Sequence, residues 1–166
     1  MTSSKRLMLI VNGEEMELTA RPADTLLYVL RVRLGLTGSK PGCLNGDCGA
    51  CTILADDIPI KSCLMLAVEG EGKRIQTIEG LKNAPIQKAF VEHFAFQCGY
   101  CTSGFIMNAH ALARTDLHAD EETITEWLQS NICRCTGYKE IQQAIHSVLR
   151  QGAKGTDPLA QPKEGR

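Results

Sequence analysis

The sequence predicts an α+β protein in which a small mixed sheet grips one helix and is followed by four short helices. Up to about residue 79 the apolar residues sit in short β-prone runs divided by Gly, Asn and Asp turn signals, whereas beyond residue 84 they recur every three or four positions. The eight cysteines divide the same way, four in each half. These observations set the domains at 1–79 and 84–150, with "EGLKNA" as the boundary, and leave 151–166 as a disordered tail or a strap across a partner.

In chain order, Leu7 to Val11 and Glu15 to Thr19 read as a hairpin joined by Asn12-Gly13, a type I′ signal. Asp24 is the expected N-cap of "TLLYVLRVRL", where Leu26, Leu27, Leu30 and Leu34 share a helical face and Gly35 stops the run. A Gly-rich loop spans Gly38 to Gly49. Two further strands turn at Asp56-Asp57, and a short strand is expected around Ile75 to Ile78. The helical half comprises "PIQKAFVEHFAF", "TSGFIMNAHALAR", "EETITEWLQSN" and "YKEIQQAIHSVLR", with Pro85 suited to a first turn.

Composition narrows the function. The chain has 166 residues, 43% of them hydrophobic, enough for one ordinary core or two small ones. Eighteen basic against nineteen acidic residues give no general field toward nucleic acid or an anionic membrane. The apolar run Leu7–Val11 is too short for a signal core or a membrane span, and no twin-arginine pair precedes it. A cytoplasmic location is expected, where thiols stay reduced and serve metals rather than disulfides.

The first cysteine group is Cys43, Cys48, Cys51 and Cys63: C-x4-C-x2-C, then a fourth after eleven residues. That opening is the plant-type [2Fe-2S] pattern. Four thiolates and two sulfides around two ferric ions leave about −2 of charge, which backbone N–H groups can offset if the chain wraps closely. Gly42, Gly46 and Gly49, with Ala50, permit that wrapping, and Lys40 is placed to help from the rim. The second group pairs Cys98 and Cys101 with Cys133 and Cys135 across thirty-one intervening residues. Both pairs are expected at helix N-termini, where positive partial charge favours an anionic cluster. Arg134, between two ligands, would offset cluster charge or face a partner.

Other readings compete. A structural zinc site is the main rival at the second group, since C-x2-C opens many zinc ribbons, although C-x-C matches them poorly. His93, His110, His118 and His146 lack paired ligand spacing and read as surface or satisfied core residues. Met65, Met107 and Trp127 read as packing. "GEGKR" lacks the spacing of a dinucleotide fingerprint.

In order and spacing, "GCLNGDCGACTI", "KSC", "QCGYCTSGFIM" and "NICRCTGY" resemble the iron-sulfur subunit of the molybdenum hydroxylases, the xanthine dehydrogenase family, over roughly residues 5 to 150. The resemblance implies an N-terminal plant-ferredoxin-like β-grasp domain with one [2Fe-2S] cluster and a C-terminal four-helix bundle with the other. It also implies a hetero-oligomer with a large molybdenum-cofactor subunit and a medium FAD subunit, although a cytochrome acceptor could replace the flavin. Electrons would enter at the helical-domain cluster and leave from the ferredoxin-like one, with no substrate chemistry on this chain. Carried over residue by residue, Gln97 and Cys135 would contact the pterin of the molybdenum cofactor. Ser103 and Ser130 stand where the family often has proline and glycine; Ser103 is expected to cap its helix. Two alternatives from other classes are a free two-cluster carrier serving several partners and a zinc-stabilised interaction module.

Overall fold

A computed structural model describes residues 4–153. Strands β1 (Lys5–Val11) and β2 (Glu14–Ala20) form the antiparallel hairpin, turned by Asn12 at φ 53° and Gly13 at φ 86°. Helix α1 (Leu26–Tyr28) continues as a wider π turn over Val29–Arg33 and ends before Gly35 at φ 70°. Its N-cap is Thr25, whose Oγ1 accepts from the Tyr28 N–H, rather than Asp24. The Asp24 carboxylate is buried against Arg21, accepting from that residue's N–H and Nε, so it is committed one residue too early to cap.

Strands β3 (Thr52–Ala55) and β4 (Ile58–Lys61) pair through left-handed Asp56 and Asp57, and β5 (Arg74–Gln76) completes the sheet. Among the described residues this is one five-stranded sheet in the order β2-β1-β5-β3-β4, parallel at β1/β5 and antiparallel elsewhere. The expected strand at Ile75–Ile78 ends at Gln76, because Ile78–Gly80 tightens into a 3-10 turn.

Helices α2 (Pro85–Glu92), α3 (Thr102–Thr115), α4 (Glu121–Leu128) and α5 (Lys139–Ala153) follow. Pro85 occupies the first turn of α2, and Asp120 caps α4 through the Thr123 N–H. Helix α5 runs three residues into the stretch expected as tail; residues 154–166 lie outside the described residues. No described helix is long and apolar enough to cross a membrane.

Strand β3 separates two cores, which explains why all four of its residues are buried. Alternate side chains of a strand point to opposite faces. Ile53 and Ala55 join Leu9, Leu26, Leu30 and Ile75 beneath α1, while Leu54 joins Phe90, Phe105, Leu112 and Ile145 among the helices. Helix α3 is buried from Gly104 to Ala113, the pattern of a helix enclosed on every side. Cys51 therefore stands immediately before the strand on which the two cores meet.

Candidate functional site

The loop carrying Cys43, Cys48 and Cys51 is tied at its root. The Arg31 guanidinium donates to the Thr37 and Ser39 carbonyls at 2.6 and 2.7 Å, and Lys40 N–H closes the loop on the Ala50 carbonyl at 3.0 Å. Lys40 Nζ donates to the Thr37 carbonyl at 2.6 Å, so this cation braces the loop root. Left-handed Leu44, Gly46 and Gly49 turn the chain back on itself. The Cys43 and Cys48 backbone N–H groups each point at the other residue's Sγ, both at 3.3 Å. A Cβ on Gly42 would meet Cys48 Sγ at 2.5 Å, so only glycine leaves that sulfur room.

Cys51 and Cys63 form a buried trio with Leu27, and Ser62 Oγ donates to the Cys51 carbonyl at 2.7 Å. The first group thus splits into a more open pair and a buried pair. Hydrogen bonds from the Cys48 and Asn45 backbone bring the Cys43 thiol down to about 7. Burial, and then the Cys51 side chain, push Cys63 up to about 11.

The second group is built across two segments. Cys101 stands at the N-cap position of α3, and Cys98 precedes it by one turn through Gly99 at φ 82°. Cys133 and Cys135 lie in the loop before α5, which begins only at Lys139, so the expected helix N-terminus serves only the first of these segments. Local donors replace it: Thr136 N–H points at Cys133 Sγ at 3.4 Å, and Cys133 N–H donates to Tyr138 Oη at 3.0 Å. Tyr138 is left-handed and sets its ring edge-on to Phe105, fixing the loop to the helical core.

The pairing crosses the segments. Cys135 Sγ lies 3.6 Å from Cys98 Sγ in an exposed pair, while Cys101 hydrogen-bonds the buried Cys133. Burial and that bond push Cys101 up to about 12. Burial also opposes ionisation at Cys133, but the Thr136 hydrogen bonds outweigh it and hold this thiol below its ordinary value. Arg134 is exposed between Cys133 and Cys135.

The two groups meet along a polar seam. Ile132 N–H donates to the Cys48 carbonyl at 3.0 Å, and the buried Asn131 amide donates to the Gly49 carbonyl at 2.9 Å. Gly49 and Gly104 pack so closely here that a Cβ on either would strike the other loop. Lys61, half-buried, donates to the Ser130 carbonyl at 2.6 Å and to Thr52 Oγ1 at 3.3 Å. Burial lowers its pKa, while Cys51, Cys48, Cys63 and Cys43 pull the other way, so this cation faces the first group.

Lys61, Asn131 and Tyr138 are absent from the sequence-based candidates. Asn131 and Tyr138 flank the second cysteine motif, where only adjacency hinted at a role. Lys61 appears in the sequence only as the first residue of the "KSC" motif, with no role of its own. Ser103, expected as a cap, instead donates from Oγ to the Gly38 carbonyl at 2.7 Å and braces the first loop. Gln97 is exposed beside Cys98.

The donor chemistry suits a dinuclear cluster. Two irons ask for thiols in pairs, with N–H groups aimed at sulfur, and both groups have that form.

Comparison with known proteins gives a consistent picture. Residues 9–81 match the family described as "2Fe-2S iron-sulfur cluster binding domain", and residues 77–146 match "[2Fe-2S] binding domain". The chain is 44% identical to the nicotine 6-hydroxylase small subunit of Paenarthrobacter nicotinovorans, over 81% of this chain and 84% of that one. It is 44% identical to the caffeine dehydrogenase subunit gamma of Pseudomonas sp. strain CBB1, over 88% and 92% respectively. The crystal structure of quinoline 2-oxidoreductase from Pseudomonas putida 86 superposes with a TM-score of 0.86 at 38% identity, covering 92% of this chain and 98% of that one.

Proposed function

The chain belongs to the small iron-sulfur subunits of the molybdenum hydroxylase family, and from that premise we propose that it conducts electrons from a molybdenum-cofactor subunit toward FAD or another acceptor. Residues 1–79 would form a plant-ferredoxin-like β-grasp domain and 84–150 a four-helix domain. Cys43, Cys48, Cys51 and Cys63 would hold one cluster; Cys98, Cys101, Cys133 and Cys135 would hold the other. When bound, each [2Fe-2S] cluster supplies one-electron redox chemistry. A medium FAD subunit and a cytoplasmic setting complete the proposal.

The observation that carries this reading is the pairing of thiols within both groups, with the two groups joined by hydrogen bonds. The chain's own residues hold the sulfurs, donate N–H groups to them and hydrogen-bond the two loops to each other. The Ile132 N–H to Cys48 carbonyl hydrogen bond links a residue of the first group to the neighbour of Cys133, giving a compact connection between the sites. The exposed Cys98/Cys135 pair faces outward beside Gln97, which supports entry from a partner on that side and a pterin contact by Gln97 and Cys135. Gly42, Gly46 and Gly49 would give the first cluster its close backbone cradle.

Low-temperature EPR with spin counting on the natively assembled, dithionite-reduced protein tests the reading. Two inequivalent S = 1/2 signals, each near one spin per chain, are expected. One signal, with zinc in place of the missing iron, would assign the other cysteine group to a structural ion.

A further inference from the structure

Helix α2 ends in an unusual way. Ala95 N–H donates to the Phe90 carbonyl at 2.9 Å, and Phe94 N–H donates to the Val91 carbonyl at 3.2 Å. These two bonds define a Schellman cap, whose left-handed C′ position normally belongs to glycine. Here it is filled by Phe94, at φ 52°. A bulky side chain in that conformation is strained. The ring gains little in return among the described residues, since Phe94 is 80% exposed.

Strain of this kind clusters at functional and ligand contacts. The surroundings say which contact. Val91 and Phe96 line a groove of about 340 Å³ between α2 and α3, and Gly99, next to Cys98, lines it too. Val91, Phe96 and Tyr100 are themselves exposed, and Phe96 and Tyr100 stand two residues either side of Cys98, which is exposed with Cys135. Electron entry at that pair requires a partner to sit against it, and a partner so placed reaches the patch.

We propose that Phe94 is an anchor residue by which this chain seats on its molybdenum-cofactor subunit, held out from the α2 terminus at the expense of local stability. The inference rests on the function proposed above. Aromatic side chains are enriched at interfaces, where a few residues carry most of the affinity, and Phe94 is held out to solvent beside the exposed Val91 and Phe96.

The test uses the full chain and the assembly formed with the coexpressed molybdenum-cofactor subunit. Phe94→Gly should raise the melting temperature of the full chain by about 2–4 °C, as relief of the left-handed residue requires. The same substitution should weaken the assembly about tenfold or more, read as dissociation on dilution, with both EPR signals of the chain retained. Phe94→Ala keeps the backbone strain and should lose affinity without the gain in stability. Phe94→Trp should restore most of the affinity. Unchanged dissociation of Phe94→Gly, or a lowered melting temperature, overturns the inference. So does self-association of the chain that depends on Phe94, which would give the ring to a second copy. Wild-type chain that forms no assembly with the molybdenum-cofactor subunit would count against the proposed function itself.

Discussion

The first cysteine group is pinned within one stretch of chain, whereas the second exists only where two distant segments meet. Cys43 pairs with Cys48 inside a single loop, and Cys51 pairs with Cys63 across the β3–β4 hairpin. Each pair of the second group instead joins the start of α3 to the loop before α5. The first site is therefore organised by local turns and one ladder, and its cluster would fill a cradle largely formed without it. A cluster at the second site would act as a cross-link inside the helical half.

Removing one ligand from each site separates these cases most sharply. Cys133→Ser should abolish one EPR signal, halve the iron and open the cross-link between Cys101 and the α5 loop. A cross-link over about thirty residues contributes roughly 3–4 kcal/mol by loop-closure entropy, so a clear drop in denaturation midpoint is expected. Cys43→Ser should remove the other signal with the smaller stability loss, because its loop remains tied by Arg31 and the Ala50 carbonyl. Equal losses of stability in the two variants would remove the distinction between cradle and cross-link.

Acid should expose a second difference between the halves. His110 lies inside α3, buried, with neither ring nitrogen partnered among the described residues. Burial, and then the nearby Arg114 cation, lower its pKa to about 4, with Asp57 opposing. The unfolded chain takes up the proton near the ordinary value of about 6.5. Between those values the unfolded state binds more protons, so stability falls as pH drops from about 6.5 toward 4. The effect should reach about 2 kcal/mol at pH 4.5 and be borne by the helical half. His110→Leu, read by urea midpoints at pH 7 and 4.5, should flatten that dependence; an unchanged slope would show that other groups set it.

The seam between the sites is next in size. Asn131→Ala removes one of three donors to the Gly49 carbonyl, which keeps the Thr52 N–H and Oγ1, a loss of about 0.5–1.5 kcal/mol. Both EPR line shapes should broaden together, since this side chain touches the backbone of both loops. A change confined to one signal would mean the loops are held independently.

How much of this was legible in the sequence follows from the range of the interactions. The hairpin at Asn12-Gly13, the Asp56-Asp57 turn and the four helices come from turn chemistry and apolar period, which act over a few residues. The cysteine spacing likewise announced both groups. The cap of α1 was misread because Asp24 and Thr25 are both good cap residues, and only the Arg21 contact in the fold decides between them. Ser103 and Lys61 were missed or misassigned for a similar reason: each acts on a carbonyl sixty or more residues away. Strand β3 gave no sign that it would serve two cores, since four buried residues in a row fit a single one equally well.

Lys61 gives the finest test of the comparison, because it belongs to the seam by hydrogen bonding and to the first site by charge. Its ammonium binds the Ser130 carbonyl, beside the second loop, yet the thiols it feels are Cys51, Cys48, Cys63 and Cys43. Replacing it by methionine keeps much of the stem's packing and removes the cation. One charge at moderate effective dielectric is worth about 1 kcal/mol, on the order of 40 mV for a one-electron couple. A cation near a cluster favours its reduced, more negative form, so Lys61→Met should lower the potential of the first site by that amount. The second site, facing only the neighbouring carbonyl, should move by much less. Potentiometric EPR titration of both signals would read the two shifts in one experiment. Equal shifts would make the seam an electrostatic unit, whereas a shift at the first site alone would leave it a purely mechanical joint between two differently built centres.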